Sequence, residues 1–266
     1  MLTIPWQKRR KYRAAILLGG DFHQTLESKE LLASCDFLAA ADSGAAYARA
    51  IGRVPDLAVG DFDSITDEDM DWLSQNEVLT YRYAAGKDET DAELAAFLLL
   101  AMQVRTKSES SRDYFENSNL SLIADQSWNN AIIRDDLELL LLGATGSRPD
   151  HMLANIALSR KLTEKGIPVL LSDGISLFVP LCGASEARVL WPREPQNTVD
   201  WLFSALAMSD SVTDLSYQDV QFPVDNITIH RGTSLGLSNR CLDPKVVDFS
   251  FSLAEGSLLL IVTPED

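Results

Sequence analysis

"LAVGDFD", residues 57–63, is an apolar run that stops at a glycine and runs into two carboxylates. Leu57, Ala58 and Val59 show no polar alternation, so the run suits a strand buried on both faces, as in a parallel sheet. Asp61 and Asp63 then fall at the carboxyl end of that strand, where open α/β sheets form their ligand crevice. Three other stretches are built the same way: "AAILLGGD" (14–21), "CDFLAAADSGA" (35–45) and "LELLLLGATG" (137–146). Helices are expected between them at 25–34, 44–52, 67–75 and 91–103, the last opened by a Thr90–Glu93 capping box. A further helix is expected at 151–165, capped by Asp150 and closed by Gly166. The alternation predicts an α/β fold: an N-terminal doubly wound, mostly parallel sheet domain over residues 1–172.

After "GIPVLLSDG" (166–174) the texture changes. "ISLFVP", "ARVLWP", "ITIHRG", "VVDFSFS" and "SLLLIVTP" are short runs separated by turn residues. They predict a C-terminal antiparallel β-sandwich domain over 173–266, with one helical turn near 199–208. Trp191, Trp201 and Phe222 are expected in its core. Residues 104–136, rich in Ser, Asn and charge, read as a surface insertion.

The 266 residues are 46% hydrophobic, enough for one or two packed domains. A formal charge of −16 argues against nucleic acid or an anionic membrane as the main partner, since both require a basic surface. The basic cluster Lys8–Arg13 is expected to be a solvated lead-in to the first strand. No apolar stretch is long enough for a signal-peptide core or a membrane span, so a cytoplasmic protein is expected. Cys35, Cys182 and Cys241 are far apart and form no C-x-x-C pair, which predicts free thiols.

The chemistry-bearing residues lie at the predicted strand ends. Asp61 and Asp63 could share one magnesium ion, which takes few carboxylates and completes its shell with water and phosphate oxygens. The same residues also suit a helix cap and a turn. "GKDETDAEL" (86–94) puts Lys87, a point charge suited to phosphate, beside Asp88, Asp91 and Glu93 at a helix start. In "GATGSRPDHMLAN" (143–155), Gly143 and Gly146 permit close backbone approach and Arg148 offers a planar fork. Asp150 and His151 sit at the start of the helix that follows, in a strand–loop–helix turn of phosphate-cradling type. Neither a Walker A loop nor G-x-G-x-x-G is present. His151 suits capping or packing as well as catalysis.

The order of these motifs is more specific than any one of them. A-D-S-G-A, G-D-F-D-S, K-D-x-T-D-x-E and G-x-x-G-x-R-x-D-H-x-x-x-N, over residues 15–160, resemble the thiamine pyrophosphokinase family. "RGTSLGLSN" (231–239) is similar to that family's G-x-S-L-G-x-S-N turn. The resemblance implies Mg2+-dependent transfer of the β,γ-pyrophosphate of ATP to the hydroxyethyl oxygen of thiamine, giving thiamine diphosphate and AMP. It implies an α/β domain followed by a β-sandwich, in a homodimer whose substrate site lies at the subunit interface. Carried over by position, Asp61, Asp63 and Asp91 are the metal ligands and, with Asp88, Lys87 and Arg148, the catalytic set. Gly20, Lys87, Thr145 and Arg148 fall to ATP. Asp42, Asp150, Ser234, Ser238 and Asn239 fall to the substrate. Either Asp91 or Asp88 would accept the alcohol proton. Ser43 stands where the family usually has glycine, and Arg240 replaces an acid. A pyrophosphokinase acting on another alcohol such as a pterin, a nucleotide-binding regulator and a metal-dependent phosphohydrolase are the competing readings.

Overall fold

The structure is a computed structural model that describes residues 2–4, 12–83, 89–104, 136–146, 148–191 and 199–265. Lys87, Asp88, the cluster Lys8–Lys11 and all but the ends of the 104–136 insertion lie outside the described residues. The chain divides into two compact units. One comprises Arg10–Phe22 and Leu32–Asn155, the other Met1–Arg9, His23–Leu31 and Ile156–Asp266.

The strands in chain order begin with β1 (Leu2–Ile4), β2 (Tyr12–Leu17), β3 (Phe37–Ala41), β4 (Leu57–Gly60), β5 (Leu79–Arg82) and β6 (Leu137–Leu142). The helices are α1 (Leu26–Ala33), α2 (Gly44–Ile51), α3 (Asp67–Gln75), α4 (Asp91–Val104) and α5 (Pro149–Glu164). In the first unit five strands lie in the order β6-β2-β3-β4-β5, every pair parallel. Strands β3, β4 and β6 are buried along their whole length, the pattern that continuous apolar runs announce. Strand β5 escapes that reading because "LTYR" alternates half-buried and exposed, as an edge strand does. The sheet order reverses between β2 and β6, so the loops leaving their carboxyl ends part there and open a crevice.

Local chemistry sets the helix ends. The Thr90 hydroxyl accepts from the Glu93 N–H at 3.2 Å, and the Glu93 carboxylate accepts from the Thr90 N–H at 3.1 Å. The expected capping box is therefore formed. Gly166 closes α5 with φ +85°, but α5 begins at Pro149, one residue before the predicted cap, because proline's fixed φ suits a first helical position. Thr66 caps α3, and this removes Asp61 from that duty. Arg13, expected in a solvated segment, is buried in β2, where its guanidinium meets Glu138 at 2.8 Å and Ser34 at 2.6 Å.

Helices α2 and α3 are clamped by a small polar network. Asp69 is buried and accepts from the Thr66 hydroxyl and from Arg49 Nε, both at 2.6 Å. Burial alone would raise its pKa. The bonds from Thr66 and Arg49 outweigh burial and hold the carboxyl below the usual 3.8. A depressed folded-state pKa gives stability that is present above 3.8 and lost as pH falls through the lower folded value. Asp69→Ala should cost about 2 kcal/mol at neutral pH. Chemical denaturation of both proteins across an acid series checks it: the gap should close below the ordinary Asp pKa.

The second unit carries β7 (Val169–Ser172), β8 (Leu177–Cys182), β9 (Ser185–Trp191), β10 (Trp201–Ala207) and β11 (Ser211–Gln218). β12 (Val224–His230), β13 (Asn239–Arg240), β14 (Val247–Leu253) and β15 (Ser257–Pro264) complete it. Antiparallel pairs link β13-β10-β15-β8-β7 in one layer. The other layer runs β1-β9-β14-β11-β12, antiparallel except where the N-terminal β1 joins β9 in parallel. Phe203 of β10 stacks on Phe249 of β14 at 4.1 Å and meets Tyr217 of β11 edge-on at 5.5 Å, so aromatic rings bind the sandwich layers. The helical turn expected near 199–208 is strand β10: Trp201, Phe203 and Ala205 alternate inward, a period of two. Trp191 and Trp201 are core residues as expected, whereas Phe222 is 65% exposed. All three cysteines are free thiols.

Candidate functional site

The crevice at the sheet's reversal is a cavity of about 480 Å³, bounded wholly by the first unit. It is lined by the loops that leave the strand ends: Gly19–Asp21 after β2, Asp42 and Ser43 after β3, Asp61, Asp63 and Ser64 after β4, and Gly143–Gly146 after β6. Three helices begin at its rim, α2 behind Ser43, α4 at Thr90–Ala92 and α5 at Arg148–Met152. Helix N-termini present unsatisfied N–H groups and a positive dipole end, so three together favour a polyanion.

The acids converge from different strands. Asp42, Asp61 and Asp63 each offer a carboxylate oxygen within 4.8 Å of the others. Asp91 lines the same cavity outside that group of three. Asp42, expected at the substrate, lines the cavity and lies beside Asp61 and Asp63. Phe62 explains how two acids flank it in the cleft: its φ of +59° turns the chain, its ring sinks into the core with Ala58 and Leu73, and Asp61 and Asp63 remain at the surface. Arg82 covers that ring at 5.4 Å. Asp42 also takes a left-handed φ of +48°, fixed by its N–H bond to the Val59 carbonyl at 2.8 Å. A Cβ on Gly60 would come within 3.2 Å of the Asp42 backbone, so glycine there lets β4 end against it.

Ser64 donates to Asp42 Oδ2. Asp42 Oδ1 is buried with no hydrogen-bond partner among the described residues. Burial pushes the Asp42 carboxyl up, the Asp91 and Asp61 charges add to it, and the Ser64 bond only partly offsets them. A buried, unpartnered oxygen among like charges calls for a cation, and an all-oxygen donor set suits magnesium.

The β6–α5 loop supplies a further wall of the cavity. Gly143 and Gly146 both have positive φ, +68° and +143°, and sit where a Cβ would strike the Leu18 carbonyl or the Asp21 N–H. Asn155 of α5 donates to the Ala144 carbonyl at 2.8 Å and is buried. Arg148 and Asp150 are exposed and paired at 2.6 Å, and each strengthens the other's charged form. Thr145 and His151 line the cavity too. Ser43, the residue in place of the usual glycine, faces Gly19: a Cβ on Gly19 would fall 2.0 Å from the Ser43 hydroxyl. Asp21, Ser43, Ser64 and Asn155 went unassigned in the sequence. Asn155 stood within the quoted 143–155 motif, and the others adjoin assigned residues.

Ser234, Ser238 and Asn239 belong to the second unit: Ser234 and Ser238 lie in the turn between β12 and β13, and Asn239 opens β13. Asn239 is buried and its amide is engaged with backbone: it accepts from the Phe222 and Arg240 N–H groups and donates to the Phe222 carbonyl at 2.8 Å. Ser238 adopts φ +56° and its N–H bonds the Ser204 hydroxyl. Leu235 and Leu237 of the same turn are exposed. Arg240 pairs with Glu265 and, at 3.7 Å, with Asp200.

The family model described as thiamin pyrophosphokinase, catalytic domain, matches residues 28–171. The thiamine pyrophosphokinase of Bacillus subtilis strain 168 is 26% identical over 223 residues, which cover 83% of this chain and 84% of that protein. Among solved structures, that of thiamin pyrophosphokinase from Candida albicans superposes with a TM-score of 0.77 at 15% identity, over 96% of this chain and 89% of the other. The Bacillus subtilis crystal structure gives 0.68 at 22% identity, over 96% and 99%.

Proposed function

Because this chain belongs to the thiamin pyrophosphokinase family, a family of transferases, we propose that it moves the β,γ-pyrophosphate of ATP to the hydroxyethyl oxygen of thiamine, releasing AMP. The observation that carries this reading is the union in one cavity of three clustered carboxylates and three helix N-termini. Such a site takes a polyphosphate only with a cation to neutralise the acids. Magnesium, held by Asp61, Asp63 and Asp42 with Asp91 alongside, would supply charge neutralisation on the phosphate oxygens.

The chain's own residues do the rest. The N-termini of α2 and α5 and the glycine loops at 19–20 and 143–146 orient the phosphates in line with the acceptor. Arg148 leaves Asp150 to meet charge growing on the transferred group, joined by Lys87, and Gly20 and Thr145 border the nucleotide. Asp91 or Asp88 takes the proton of the attacking alcohol. Two copies of the chain form a homodimer in which the turn bearing Ser234 and Ser238, with Asn239 at the start of β13, serves the thiamine site of the other copy. The exposed Leu235 and Leu237 support that contact. No described helix is long and apolar enough to cross a membrane.

The test is a set of mixtures of protein, ATP and Mg2+ with thiamine, with a pterin alcohol or with no acceptor, read by mass spectrometry. Thiamine diphosphate and AMP should arise together in the first mixture only. A pyrophosphorylated pterin, or AMP without acceptor, would replace the reading by one of its competitors.

A further inference from the structure

Helix α2 is joined to the lining of the cleft at two points. Its first turn follows Asp42 and Ser43, on the acidic side. One turn later Tyr47 donates its hydroxyl to the Gly20 carbonyl at 2.8 Å, on the glycine side. Its ring is half-buried and held edge-on by Phe22 at 5.5 Å. Gly20 in turn donates its N–H to the Gly143 carbonyl at 3.0 Å, and Asp21 to that of Thr145 at 2.8 Å. The β2 loop is thus sewn to the β6 loop by backbone and to α2 by one phenol.

We propose that Tyr47 is a positioning residue that sets the glycine loops at their working distance from Asp42, Asp61 and Asp63. This rests on the functional reading above. The Tyr47 hydroxyl is a side-chain tie from the helix that follows Asp42 to the β2 loop lining the same cavity. Without it, α2 keeps its packing through Phe22, but the Gly20–Gly143 seam loses its anchor on the acidic wall. The cost should fall on the ligand that spans both walls, the metal-bound polyphosphate, and spare the acceptor alcohol.

Tyr47→Phe keeps the ring and removes only the hydroxyl. Against wild type, the KM for ATP and the Kd for Mg-ATP by calorimetry should rise about five- to tenfold, the loss of one hydrogen bond. The KM for thiamine should hold, and the melting temperature should fall by no more than the roughly 2–4 °C that one hydrogen bond accounts for. Unchanged ATP constants would overturn the proposal, as would a parallel loss in both KM values and in thermal stability beyond that fall, which marks a purely structural residue. If wild type itself forms no thiamine diphosphate, the functional reading falls separately, and the calorimetric comparison alone decides the role of Tyr47.

Discussion

Asp42→Asn should cut turnover steeply and raise the melting temperature in the same protein. Asp42 is an ionised group in a place that penalises its charge: burial comes first, with Asp91 and Asp61 adding repulsion. Its folded-state pKa is raised above 3.8, so the penalty is fully present above the folded value and gone below the unfolded one. Asparagine removes the charge, tolerates the left-handed backbone and can still accept from Ser64. Discounted for the solvent reaching the cleft, the gain should be roughly 2–4 °C at neutral pH without metal, shrinking as pH falls toward 3.8. Turnover should drop about a thousandfold, because a cation left with two acids instead of three would no longer hold the phosphates firmly. Asp61→Asn and Asp63→Asn should lose turnover likewise without unfolding. Melting curves over a pH series, beside Mg2+ titrations of activity, read both halves. Near-wild-type rates in any of the three would remove the metal-cage account.

Gly20→Ala should damage the protein as heavily by another route. A Cβ there would lie 1.8 Å from the Thr145 carbonyl oxygen and 2.5 Å from that of Gly143. Both are backbone atoms and cannot swing aside, so the β2 and β6 loops must part. The Gly20–Gly143 and Asp21–Thr145 bonds go with them. We expect a loss of about 3 kcal/mol, with ATP binding lost along with the seam. Gly52→Ala is the control: that glycine ends α2 at φ +75° with open space around it. It should cost about 1 kcal/mol of backbone strain and leave ATP binding intact. Urea melts of both variants with ATP-binding isotherms make the comparison.

What could be read from the chain follows from what each contact needs. Strands β3, β4 and β6 are legible because burial on both faces leaves an unbroken apolar run. β5 and β10 are not, since an edge strand tolerates polar residues and "WLFSALA" hides a period of two among small and large apolar residues. Asp61 and Asp63 are legible because one loop carries both. The membership of Asp42 in their cluster depends on β3 lying beside β4, a tertiary fact that no local pattern encodes. The same holds for Tyr47, which meets Gly20 across two elements. Phe222 reads as core by its side chain alone, yet its side chain lies exposed while its backbone is held by the buried Asn239 amide.

The most direct measurement is a phosphorus NMR time course of protein, ATP, Mg2+ and thiamine. The account predicts that AMP and thiamine diphosphate signals grow in equal amounts, with no ADP, and that neither grows when thiamine is left out. ADP as the product, or inorganic phosphate or pyrophosphate released without thiamine, would contradict it.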